Sequence, residues 1–361
     1  MDNKFGPLAR EIAKNKYLMT KGDGTKETWD ELAHRVSNNV LKSVNARKSL
    51  IDCVTELIQQ RKFIPGGRYL YSAGRPWHQC QNCFLFRAED SREGWADLMH
   101  KAASTLMSGG GIGTVYSDLR EDGALIKKTG GKSSGPISLM QMVNESGRFI
   151  MNGGNRRAAI WSGLHWNHPD IKKFIDIKNW SEDVKNLKAK DFNFPATLDM
   201  TNISVILDIN FFKKFDEDEG NTRKVYWKTV QQMLSTAEPG FSVDAFGNTG
   251  ENLRNACTEI TSYDDSDVCN LGSLNLARFE YKHEFAFAVN AAIAFLLAGT
   301  VYSDVPTEKI RKVRNKNRRL GLGLMGIHEW LLKRNKVYGP DDELTQWLDI
   351  YKSTSDDESK R

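Results

Sequence analysis

With 361 residues, the chain can bury a sizeable core and build one large or two ordinary domains. Its 40% hydrophobic and 27% charged residues are those of a soluble globular protein, and a net charge of +5 is too mild to argue for nucleic acid. Five cysteines, Cys53, Cys80, Cys83, Cys257 and Cys269, fit reactive thiols in a reducing compartment better than a disulfide framework. The opening MDNKFGPLAREIAKNKY has no apolar core of signal-peptide type, so cytoplasm is the expected location.

Residues 1–60 read as helical. Thr28 and Glu31 form a capping-box pattern, and Trp29, Leu32, Val36 and Val40 follow at helical spacing. After Pro65, Gly66 and Gly67, helical patterns alternate with short β-branched or apolar runs at 113–116, 158–164 and 203–207, which predicts an α/β architecture. Polar stretches at 181–193 and 216–223 read as solvated loops. Residues 285–302 are almost unbroken in apolar side chains around Asn290, nearly the length of a membrane span. That stretch is alanine-rich and isolated, which predicts a buried helix. From 309 to 319, seven of eleven residues are Lys or Arg, a basic helix expected to face solvent or substrate.

Several motifs could carry chemistry. Glycine-rich segments at 108–113 and 129–135 could converge backbone amides on a phosphate, although neither matches the P-loop pattern and tight turns explain them as well. Gly321, Gly323 and Gly326 fit G-x-G-x-x-G, with Asp341 and Asp342 beyond. They follow a basic helix and not an apolar strand, which breaks the dinucleotide-binding context. Cys80 and Cys83 form a single C-x-x-C, and His165 with His168 is the one close histidine pair, so no metal site is expected. The run NACTE at 255–259, if extended, puts Asn255, Cys257 and Glu259 on one face: an amide, a thiol and a carboxylate. Alone, Cys257 would read as a buried structural thiol. Twelve residues later stands Cys269, in CNLGSLNL.

Taken together, NACTE, CNLGSLNL and QNCFL at 81–85 resemble the catalytic apparatus of the ribonucleotide reductase large subunit, most nearly the adenosylcobalamin-dependent class II type. The resemblance runs from about Ile64 onward. It implies an N-terminal helical segment at 1–60, followed at 61–361 by the first half and the start of the second half of a ten-stranded α/β barrel, in which the GLG segment is a helix. It also implies reduction of ribonucleotides to 2′-deoxyribonucleotides for DNA synthesis. Cys257 would carry a thiyl radical, Glu259 would accept the 3′-hydroxyl proton, and Asn255 would orient a substrate hydroxyl. Cys83 and Cys269 would close to a disulfide as water leaves. By the same likeness Asn82 and Gly110 approach substrate, while Asp90, Arg120, Gly153 and Arg156 belong to the allosteric specificity elements.

The implied cofactor is adenosylcobalamin, with a metal-containing small subunit as the class I alternative. Implied partners are ribonucleotide substrate, dNTP effectors, a thioredoxin- or glutaredoxin-type reductant and a second copy of the chain, with no membrane and no nucleic acid. At Gly67 many relatives carry a serine or threonine that touches the substrate phosphate. The family's later phosphate loop, the rest of the barrel and the C-terminal cysteine pair are not found before Arg361, which predicts a need for a complementary C-terminal reductase fragment. A class I large-subunit fragment and a non-catalytic nucleotide-binding remnant stay open as alternatives.

Overall fold

The computed structural model describes residues 6–150, 157–217, 221–244 and 251–360, so the predicted effector residues Gly153 and Arg156 lie outside the described residues. The chain divides into two compact units. One comprises Met1–Asn82, Cys269–Val305 and Arg314–Arg361; the other comprises Cys83–Val268 and Pro306–Val313.

The first unit opens with α1 (Pro7–Lys16), α2 (Trp29–Lys42), α3 (Lys48–Gln59), the short strand β1 (Phe63–Pro65) and α4 (Gly67–Ser72). The capping box forms as its sequence predicts. Glu31 N–H donates to Thr28 Oγ1 at 3.2 Å, and Thr28 N–H donates to the Glu31 carboxylate at 2.6 Å, which satisfies two otherwise orphaned donors. Leu32, Val36 and Val40 on α2 meet Ile51, Val54 and Ile58 on α3 in one buried cluster. Trp29 Nε1 adds a bond to Ile58 O at 3.0 Å.

The second unit holds β2 (Cys83–Arg87), α5 (Arg92–Ser108), β3 (Gly111–Val115), β4 (Asp122–Leu125), β5 (Lys132–Ser134), α6 (Gly135–Phe149) and β6 (Ile160–His165). It continues through α7 (Ile171–Ile175), α8 (Glu182–Lys190), β7 (Thr201–Asp208), α9 (Ile209–Asp216), α10 (Thr222–Thr236), β8 (Gly240–Asp244), β9 (Leu253–Arg254) and β10 (Thr261–Ser262). Strands β2, β3, β6, β7 and β8 pair in that order, every pair parallel. Parallel neighbours need long crossovers, which the intervening helices supply. The apolar runs expected near 113–116, 158–164 and 203–207 are strands β3, β6 and β7. Two antiparallel ribbons, β4–β5 and β9–β10, stand apart from this sheet. The stretch at 181–193 is not a bare loop, because it contains α8. Ser181 caps that helix, accepting from Val184 N–H at 3.4 Å, and charges of the favoured sign sit at both ends. With none of its residues buried, α8 offers no apolar stripe to read.

The chain then returns to the first unit through β11 (Asp267–Asn275) and α11 (Lys282–Tyr302); α12 (Glu308–Asn317) starts in the second unit and ends in the first, which β12 (Arg319–Met325), α13 (Ile327–Leu332) and α14 (Asp342–Lys360) complete. Among the described strands of this unit, β11 pairs β1 antiparallel and β12 parallel. By length and composition α11 could cross a membrane, but it is mostly buried against α2, α3 and α14. Phe285, Ala292, Phe295 and Leu296 belong to the core there, as the buried-helix expectation required. The GLG segment is a correction: it is strand β12 and not a helix. Its leucines and glycines alternate with period two, and a side chain at Gly321 would come within 2.3 Å of Leu271 on β11.

Candidate active site

The NACTE run is not extended. Strands β9 and β10 pair with Arg254 opposite Thr261, and residues 255–259 belong to the turn at the end of this hairpin. Thr258 N–H donates to Asn255 O at 3.1 Å, with Thr258 in the left-handed region at φ 65°. The alternation argument therefore fails, and the turn brings the groups together in its place. Asn255 Nδ2 donates to Glu259 Oε2 at 2.9 Å, while Asn255 Oδ1 accepts from Ile260 N–H at 3.1 Å. Asn255 is fully buried; Cys257 and Glu259 are exposed. The amide thus holds the carboxylate across the turn, and the thiol stands between them at the tip.

Packing of the hairpin on β2 and β3 explains the first glycine-rich segment. A side chain at Gly113 would meet Arg254 O at 2.2 Å and the Asn255 backbone at 2.5 Å, so only glycine permits this approach. Gly110 is buried against the Phe84 ring, 2.3 Å from where a Cβ would stand. Close packing alone requires glycine at both positions.

Cys83 opens β2 and is 3% exposed, with Sγ donating to Glu259 Oε1 at 3.8 Å. Burial pushes its thiol far up, the Glu259 carboxylate adds to the shift, and the Asn255 side chain opposes it. Cys257 is also raised, first by partial desolvation from the surrounding turn, although its side chain is solvent-exposed, and then by Glu259. Both are protonated thiols at neutral pH. Cys83, Asn255, Cys257 and Glu259 therefore come together in one unit. Cys269 belongs to the other unit, buried on β11, as do Cys80 and Asn82. Asn82 N–H donates to Cys269 O at 3.0 Å. The apparent C-x-x-C is thus divided at the unit boundary.

These thiols set a pH dependence. A thiol whose folded pKa lies above its unfolded value contributes its stability below the unfolded pKa, near 9 for cysteine, and loses it as pH climbs toward the folded value. Stability is expected to fall above about pH 9, more shallowly in Cys83→Ala, as urea midpoints across pH 7–10 would report. Equal slopes would remove Cys83 as a source. Iodoacetamide should label exposed Cys257 before the buried thiols.

A second site lies in the same unit. A pocket of about 390 Å³ is lined by Asp90, Arg120, Trp95, Ile126 and Lys132, with Thr129, Ser133 and Ser134 from the second glycine-rich segment. Arg120 Nε donates to both Asp90 carboxylate oxygens, at 3.0 and 2.8 Å. Asp90 and Arg120, two of the four residues expected to be effector elements, therefore meet. Trp95 and Arg92 carry no motif in the sequence, and Lys132 lies in the glycine-rich segment at 129–135 without being singled out there. The nearest signal is position: Arg92 and Trp95 start the helix directly after Asp90.

Two family models match the chain: "Ribonucleotide reductase, all-alpha domain" over residues 3–78, and "Ribonucleotide reductase, barrel domain" over residues 81–223 and 221–347. The chain belongs to the ribonucleotide reductase family. Similar proteins include a vitamin B12-dependent ribonucleoside-diphosphate reductase of Thermoplasma acidophilum, 29% identical over 93% of this chain and 45% of that protein. The ribonucleoside-diphosphate reductase subunit alpha of Mycoplasma genitalium is 27% identical over 93% of this chain and 54% of its own length. A vitamin B12-dependent ribonucleotide reductase of Streptomyces avermitilis is 28% identical over 75% of this chain and 32% of its own. The reductase chain spans about half the length, or less, of these curated relatives. Its helical start and its parallel α/β sheet follow the order of the two family models.

Proposed function

We propose that this chain reduces ribonucleotides to 2′-deoxyribonucleotides by thiyl-radical chemistry, together with the further length that its relatives carry, supplied in cis or in trans. The observation that carries this reading is the hairpin tip: an exposed Cys257 thiol beside a carboxylate that Asn255 holds within reach of Cys83. Cys257, as a sulfur radical, takes the hydrogen atom from the 3′ carbon. Glu259 accepts the 3′-hydroxyl proton. Cys83, kept protonated by burial, gives its proton to the departing 2′-hydroxyl, which leaves as water. Cys83 and Cys269 together supply two electrons and become a disulfide, the Cys269 hydrogen going to the 2′ carbon; Glu259 returns its proton to the 3′ oxygen, and Cys257 returns the hydrogen atom to the 3′ carbon and is again a radical. A dithiol of thioredoxin or glutaredoxin type then restores the two thiols. Asn82 and Gly110 are assigned to substrate by the family resemblance.

Adenosylcobalamin, when bound, would supply the radical that takes the hydrogen atom from a thiol. The feature that fits it is the exposure of Cys257, which leaves the sulfur open to a bulky radical source. Two of the relatives above carry vitamin B12 dependence in their names. The test is deoxyribonucleotide formation by the chain combined with the remaining reductase length, a dithiol and adenosylcobalamin. Turnover that ignores cobalamin and needs a metal-containing subunit would move the chain to class I. No product under either condition would favour a nucleotide-binding remnant.

The Asp90 pocket is proposed as the dNTP effector site, with Gly153 and Arg156 relaying its occupancy. The pocket pairs a hydroxyl-accepting carboxylate with the basic side chains of Arg92, Arg120 and Lys132. Calorimetry with dTTP should find Asp90→Ala weaker by about tenfold or more. Equal binding would remove Asp90 from the site. A cytoplasmic setting, and a homo-oligomer with no membrane or nucleic-acid partner, complete the proposal.

A further inference from the structure

Both legs of the β9–β10 hairpin are tied to one residue of strand β2. Arg87 closes that strand, and Cys83 opens it. The Arg87 guanidinium donates from Nη2 to Asn252 Oδ1 at 2.9 Å, just ahead of β9, and from Nη1 to Asp118 Oδ2 at 2.6 Å. Its backbone N–H donates to Asp265 Oδ1 at 2.9 Å, shortly beyond β10. The next residue, Ser266, donates its N–H to Leu85 O at 2.9 Å, again on β2. The entry and the exit of the hairpin are thus pinned to the strand whose first thiol meets Glu259 at the tip.

The second oxygen of Asp265 faces cations. Its Oδ2 accepts from Lys101 Nζ on α5 at 2.9 Å, from Lys309 Nζ on α12 at 2.5 Å and from Ser266 Oγ at 3.1 Å. The Lys101 side chain is buried, pairs also with Asp97 at 2.9 Å, and sets its ammonium 5.3 Å from the centre of the Phe86 ring on β2. Burial opposes ionisation of Asp265, but Lys101 and then Lys309 outweigh it and hold the carboxyl below its ordinary value. Asp265 is therefore a carboxylate at neutral pH.

A buried ion pair seldom adds stability over an apolar pair of the same shape, because both charges lose water. What Asp265 adds is direction, with one oxygen for the β2 backbone and the other for α5 and α12. We propose that Asp265 is a positioning residue: by fastening the exit of the hairpin to β2 and α5, it holds Cys257 and Glu259 in register with Cys83. The use made of that register rests on the thiyl-radical reading above; the tie itself rests on geometry.

The test is iodoacetamide labelling of the native full chain, read thiol by thiol by mass spectrometry. In Asp265→Leu, Cys83 should label roughly tenfold faster or more, the factor that loss of a charge-assisted hydrogen bond gives a local opening equilibrium. Cys80 and Cys269, buried in the other unit, should keep their rates. A Lys101→Met/Asp265→Leu double variant should recover the urea midpoint lost by the single variant, since no buried ammonium is then left short of a partner, yet keep the fast labelling of Cys83. In the reconstituted reductase the double variant should lose kcat by roughly tenfold or more, with dTTP affinity and the KM for ribonucleotide unchanged. Unchanged Cys83 labelling in Asp265→Leu overturns the proposal, and so does a rise shared by Cys80, Cys83 and Cys269, which would mark a general loosening. Labelling in the double variant that returns to the wild-type rate along with stability also overturns it, because Asp265 would then serve only to hold the fold together. Wild-type kcat in the double variant does the same. Labelling needs no turnover, so a failure of the radical reading, which Cys257→Ser tests, is told apart from a failure of the tie.

Discussion

Cys257→Ser is expected to abolish deoxyribonucleotide formation in the reconstituted reductase, a loss of roughly three orders of magnitude or more. The substitution is nearly isosteric and lies at an exposed turn, so stability should change little. The chemistry is another matter, because an alcohol O–H bond is too strong to yield the radical that a thiol S–H provides. Three measurements belong together: product formation, urea midpoint and dTTP affinity. Loss of the first with the other two intact is the expected result. Residual turnover within tenfold of wild type would show that Cys257 is not the hydrogen-abstracting thiol.

Gly113→Val should move the hairpin itself. The first added carbon would stand 2.2 Å from Arg254 O, a backbone atom that no rotamer change can move aside. Overpacking of this kind costs about 1–3 kcal/mol, and the upper end is expected here because the clash is with main chain. The hairpin should lift from β3, parting Asn255 and Glu259 from Cys83. Cys83 would then label faster with iodoacetamide, alongside a lowered urea midpoint. A valine variant with the stability and Cys83 protection of wild type would mean that the hairpin does not lie on β3.

The sequence made the helical start legible because Thr28 and Glu31 form a cap that depends only on local chain geometry. Helix α11 was legible for a different reason: an all-round apolar helix has few places to go except a core. The parallel strands announced themselves by apolar runs, which burial on both faces demands. Helix α8 and strand β12 were misread. The first has no buried face, and the second hid its period-two alternation inside a glycine motif whose usual meaning is a turn. At the candidate site, the residues singled out from the sequence do come together, but not by the geometry expected. An extended run would put Asn255, Cys257 and Glu259 on one face of a strand, whereas a turn with Thr258 at φ 65° brings Asn255 and Glu259 together. Nothing local to NACTE reveals that turn; the pairing of β9 with β10 does. Lys132 reaches the pocket from strand β5, far from Asp90 in sequence, while Trp95 stands on the helix that follows Asp90.

The exposure of Cys257 has a bearing on how long such a protein survives in air. An exposed cysteine is ordinarily the first to be lost to peroxide, climbing from sulfenic to sulfinic acid. That ladder begins with the thiolate, and both partial desolvation by the turn and the Glu259 carboxylate favour the protonated form of Cys257. The sulfur is therefore expected to oxidise more slowly than its exposure alone would suggest. A carboxylate that accepts a proton from substrate would double, in the resting protein, as an antioxidant.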